Sequence, residues 1–160
     1  MSTPQRILIL TGLFLIGFTM AFGVWYALFD EHQTLVGMGV QMATGFAEMA
    51  AGNPEASSAA LENYAALNAE YRKEVHAHGH WGMLSLVLII VGMAFNRLGI
   101  SQRQGLLLAW LLALSAALFP LGVLMQIGPA AGLGKLLSVP ASLGMVLGLL
   151  ISAWALIRAK

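Results

Sequence analysis

Three stretches of the chain, 7–29, 105–127 and 136–157, are apolar from end to end and carry no charged side chain. Each is close to the ~20 residues a helix needs to cross a bilayer. A fourth run, 80–97, is apolar except near its two ends. Between the first and fourth runs the pattern becomes periodic. Leu35, Met38, Met42, Phe46 and Met49 recur at steps of three and four, which marks one face of a helix. Leu61, Tyr64, Leu67, Tyr71 and Val75 form a second such stripe. Ala51-Gly52-Asn53-Pro54-Glu55 separates them, with a glycine stop, an asparagine N-cap and a proline at the first helical position. The pattern predicts two continuous helices, 5–51 and 54–98, paired antiparallel through these stripes and standing about 30 Å beyond the membrane at 1.5 Å per residue.

Composition excludes the soluble alternative. The 160 residues are 59% hydrophobic and 9% charged, against about a quarter charged in soluble domains. Nucleic acid is not a credible partner for so apolar a chain. With no cysteine there is neither a disulfide nor a thiolate metal site. The first apolar run exceeds the ~7–15 residues of a signal-peptide core and reads as a span.

Charge sets the expected orientation. All seven acids (Asp30, Glu31, Glu48, Glu55, Glu62, Glu70 and Glu74) fall between the first and fourth runs. Arg6, Arg97, Arg103, Arg158 and Lys160 flank the opposite ends, and Arg72, Lys73 and Lys135 are the exceptions. Basic residues beside short connections stay cytoplasmic. Both termini and the 96–104 connection are therefore expected inside, in a bacterial-type inner membrane. The expected fold is all-α: a single membrane domain over 1–160, forming a four-helix bundle. A helical hairpin, about 30–79, would project on the non-cytoplasmic side.

The candidate chemistry lies in four histidines, His32, His76, His78 and His80. A step of two along a helix turns about 200°, so His78 points away from His76 and His80, and one ion cannot take all three. His78 continues the stripe of Tyr64, Leu67, Tyr71 and Glu74 and is expected to face partner helices. His76 and His80 continue the face of Glu55, Glu62, Arg72 and Lys73, and are expected to meet water, lipid or another subunit. Extended backwards, the first stripe runs through Glu31 and Leu28 to Val24. That brings Glu31 near the level of Glu74, one turn above His78. Two carboxylates and a histidine there are costly unless paired, protonated or bound to something. One reading is a non-haem transition-metal ion held by Glu31, Glu74 and His78. Another is a metal on His76 and His80, one turn apart, with His32 as a further candidate. The plainer readings are His78 donating to Glu74, and His76 with His80 as an unliganded interfacial pair. Trp25, Tyr26 and Trp81 read as membrane-belt aromatics. Pro120 and Pro140 fall inside helices, where neighbours must recapture the freed carbonyls.

Ala77-His78, Gly82-Met83 and Leu98-Gly99, followed by Arg103, resemble the second helix of the bacterial styrene oxide isomerases. The hydroxylaminobenzene mutases, likewise small four-span membrane proteins, look similar there. Gly17, Phe18, Gly23 and Trp25 in the first helix are also alike. The resemblance implies haem b with His78 as axial ligand. It also implies a homotrimer, and ferric iron acting as a Lewis acid in isomerising a small apolar epoxide. Tyr71 and Glu74, on the stripe of His78, are the further cofactor-binding candidates. Leu84 stands where the isomerases have an asparagine, and Val123 or Leu124 where they have a tyrosine; the hairpin is also longer than their loop. The alternative is a non-enzymatic b-type cytochrome or a haem or gas sensor. The His-x-His spacing is also similar to helices of haem-copper oxidases and nitric oxide reductases.

Overall fold

The computed structural model describes residues 1–159 as α1 (Thr3–Phe29), α2 (Glu31–Ala50), α3 (Pro54–Ala94), a 3-10 turn (Phe95–Arg97), α4 (Gln102–Leu124) and α5 (Ala131–Arg158). Lys160, one of the basic flanking residues, lies outside the described residues. Four helices, α1, α3, α4 and α5, are long and apolar enough to cross a membrane. The protein is an all-helical, multi-pass membrane bundle. Its contacts cluster into two compact units, one of Met1–Met20 with His76–Lys160 and one of Ala21–Val75.

The helix expected over 5–51 breaks at Asp30, whose φ of −126° leaves the helical region. The hydrogen-bond ladder survives the break: Asp30 N–H donates to Tyr26 O, and Thr34 N–H to Asp30 O, both at 3.0 Å. The turn between the stripes forms where Gly52-Asn53-Pro54 predicts it. Gly52 takes φ +81°, Asn53 N–H donates to Glu48 O at 2.9 Å and Gly52 N–H to Met49 O at 3.1 Å. These two bonds make a Schellman stop, which only a residue tolerant of positive φ completes without strain. The Asn53 side-chain amide donates to Glu48 Oε2 at 2.9 Å.

In the Ala21–Val75 unit the two stripes fare differently. On α3 the inward positions are Ser57, Ala60, Tyr64, Leu67, Tyr71 and Glu74, which keeps the middle of the expected stripe, while its two ends, Leu61 and Val75, are exposed. On α2 they are Thr34, Met38, Gln41, Gly45 and Glu48, while Leu35, Met42, Phe46 and Met49 point out. The expected packing face is thus the outer one, Met38 excepted, and Phe46 is 69% exposed. Close approach explains the inversion. Ser57, 1% exposed, donates its hydroxyl to Gly45 O at 2.7 Å. A Cβ on Gly45 would stand 3.1 Å from Leu61 Cδ2. A backbone-to-backbone seam of small residues leaves no room there for Leu, Met or Phe.

The other unit packs the 1–20 part of α1 and the 76–94 part of α3 with α4 and α5 around Leu8, Leu15, Trp81, Leu88, Leu108 and Leu112. Small residues again set the approach, as is usual for helices in lipid. A Cβ on Gly122 would fall 2.6 Å from Ser138 N and 2.8 Å from Gly134 O. Gln126 Nε2 bridges the same place, donating to Gly122 O and to Ser138 Oγ, each at 3.2 Å. Large apolar side chains, Leu107, Trp110, Leu136 and Leu143 among them, are exposed on the outer faces of α4 and α5.

Candidate functional site

In the unit containing the apolar part of α3, the three neighbouring histidines divide as the helical step requires, with one correction. His76 is exposed. His80, expected on the outer face, is partly buried, its ring centroid 4.9 Å from that of Phe119 on α4. The His76 and His80 rings stand 6.1 Å apart and 70° to one another. An outward direction derived from α3 alone takes no account of α4, which covers that side.

His78 is partly buried, and its Nδ1 is shut off from solvent. Gly79 borders open space, with no atom within 4 Å of where its Cβ would stand.

Trp81, expected in the aromatic belt, is instead core at 3% exposure. Its indole N–H donates to Ala117 O at 3.2 Å. Phe18 meets it edge-on at 5.0 Å. Ser85 donates its hydroxyl to Trp81 O. An indole N–H in an apolar setting requires an acceptor, and the Ala117 carbonyl on α4 supplies it.

In the Ala21–Val75 unit a second polar cluster forms, but from a different face of the first helices than expected. Val24 and Leu28 are exposed; Tyr26 and Asp30 point inward instead. Tyr26, also expected in the belt, is only 7% exposed. The Asp30 and Glu74 carboxyls adjoin one another, and two like charges so placed favour a proton on one of the two. The Tyr26 hydroxyl is turned toward Glu74, but neither it nor the buried Glu74 Oε2 meets hydrogen-bonding geometry. Glu31 and Tyr71 lie near Tyr26, and Glu70 near Glu74. His32 is exposed on the first turn of α2. Asp30 and Tyr26 were absent from the sequence-derived candidates. The signal that marks them is the 3-4 step from Thr19 through Phe22 and Tyr26 to Asp30, two residues out of step with Val24 and Leu28 of the expected stripe.

Among the described residues, no three His, Asp or Glu side chains are gathered to hold a metal ion. An ion shared by Glu31, Glu74 and His78 therefore has no ready-made site. No family model, curated protein or solved structure matches the chain.

Proposed function

We propose that this protein is a haem b protein of a bacterial-type inner membrane, with His78 as the axial ligand and both termini cytoplasmic. The observation that carries the reading is the setting of His78. It is partly buried on α3, with Nδ1 enclosed, as an axial histidine held by its protein surroundings would be. Axial histidines commonly keep the second nitrogen inside the protein, where its surroundings fix ring orientation. A homo-oligomer, trimeric by resemblance, would cover the rest of the porphyrin.

Ferric haem supplies a Lewis acid toward an oxygen of a small apolar substrate, the isomerase chemistry that the resemblance implies. A second reading, an electron carrier or a haem or gas sensor, is favoured by one specific observation. Leu84, Val123 and Leu124, at or near the positions where the isomerases have asparagine and tyrosine, are apolar and packed against the core. Turnover of a small aryl epoxide by haem-loaded protein separates the two readings.

The visible spectrum tests the haem. Purified protein given haem is expected to show a Soret band, which His78→Ala loses and His76→Ala and His80→Ala largely keep. Absence of the band in the parent protein, or its survival in His78→Ala, overturns the assignment. Orientation is tested with single cysteines in a chain that has none. Ser58→Cys and Ser101→Cys, both at exposed positions, are expected to label from opposite sides of the membrane.

A further inference from the structure

The outer face of α2 is as apolar as a core face, yet nothing in its own unit covers it. Leu35, Met42 and Met49 stand seven residues apart, His32, Gly39 and Phe46 fill the alternate positions, and Trp25 and Leu28 in the last turns of α1 continue the same spacing across Asp30. This 3-4 repeat lies within Ala21–Val75, and its large members are 39 to 70% exposed. We propose that this seam is where copies of the chain associate, the α2 helices running parallel about a common axis.

Lipid is the competing cover, and two observations weigh against it. First, α1 alone has 27 residues, about 40 Å of helix, which already exceeds a hydrocarbon core of ~30 Å. The 20 residues of α2 are surplus to that span. Second, α2 is held to the 54–75 part of α3 at Gly45 and Ser57, and that part exposes Glu55, Glu62 and Arg72. A helix pair with charge on one side belongs at a depth where water reaches it. In water a continuous apolar strip of this size marks an interaction surface.

A second copy fits the strip for three reasons. A heptad repeat held over several turns keeps one seam facing a partner helix, which lipid does not require. The seam carries no acidic or basic side chain apart from His32, so identical faces can meet without like-charge repulsion. From Trp25 to Met49 the large apolar side chains leave on the order of 800 Å² uncovered, the per-partner area of a standard specific interface. Gly39 and the exposed Ala43, between Leu35 and Phe46, offer hollows for a neighbour's larger side chains. His32, a lone polar residue on such a seam, acts to set register. The inference deepens the homo-oligomer proposed above and is independent of the haem.

Single-cysteine variants test it in native membranes. Under mild oxidation, Leu35→Cys and Met42→Cys are expected to yield about tenfold more disulfide-linked dimer than Thr44→Cys, which is exposed on the opposite flank of α2, because disulfides form only across short Cα separations. Met42→Glu with Phe46→Glu is expected to reduce the protein's mass in mild detergent to that of one chain. Equal cross-linking at all three positions, or none at Leu35 and Met42, overturns the proposal; so does a double variant that keeps the parent mass. A parent that is already a single chain in detergent, with no cross-link in membranes, assigns the face to lipid or to another protein. Loss of the Soret band with cross-linking intact would sink the haem and leave this seam standing.

Discussion

The outer faces of α5 and α2 look alike in composition and differ in what flanks them. On α5, Leu136, Leu143, Val146 and Leu147 are exposed, and α4 beside it exposes Leu107, Trp110 and Leu114. Apolar surface thus continues from helix to helix, as a lipid-facing wall must. On α2, Leu35, Val40, Phe46 and Met49 are equally exposed, but the paired part of α3 shows Glu55, Glu62 and Arg72. An apolar face is therefore not diagnostic alone; the polarity of its neighbours decides whether lipid or protein covers it. Both pairs place small residues at a closest approach, Gly122 against Ser138 on α4 and α5 and Gly45 against Ser57 on α2 and α3.

The most damaging change expected is a charge in the middle of the α5 face. Leu147→Arg should impair membrane insertion by about 3 kcal/mol, the cost of arginine at a helix centre, read as loss of membrane-integrated protein. Met42→Arg on α2 should insert as well as the parent. If both impair insertion equally, the α2 face belongs in lipid and the contrast collapses.

Next come the tight contacts. Gly122→Ala puts a Cβ 2.6 Å from Ser138 N, against backbone that cannot rotate away. A loss of about 2–3 kcal/mol is expected, in the range of overpacked cores, visible as lowered thermal stability in detergent. Gly17→Ala, with nothing within 4 Å, is the matched control and should leave stability unchanged or slightly raised, since alanine is the better helix former.

A smaller effect is expected for Trp81→Phe. It keeps the ring contact with Phe18 but removes the donor to Ala117 O. About 1 kcal/mol of stability should go.

The smallest lies in the Asp30–Glu74 pair. A proton held between these adjoining carboxyls relieves their like-charge repulsion, and an amide removes one charge without titrating. Glu74→Gln is therefore expected to raise thermal stability by a few tenths to about 1 kcal/mol at pH 8. At pH 5, where the carboxyl pair can carry its own proton, the change should be smaller. An equal gain at both pH values would show that the pair shares no proton.

Much of the fold was legible along the chain because it follows from local rules. Length and apolarity identified the spans, and the Gly52-Asn53-Pro54 turn needs positive φ and a proline start, both readable in three residues. The α3 stripe through Tyr64, Tyr71 and Glu74 also came out in the right phase. Its inward face is the only one that avoids the charges at Glu55, Glu62 and Arg72. On α2 that test fails. With few charges to exclude a side, periodicity reveals two faces without saying which one is inside. Gly45 and Ser57 decided it, by drawing the backbones too close for large side chains. The same misphasing hid Tyr26 and Asp30. Trp81 and His80 needed α4 as well: Ala117 O accepts the indole N–H, and Phe119 covers the imidazole. Both contacts join residues more than 30 positions apart. No local pattern carries such a contact; the packing of α3 on α4 creates it.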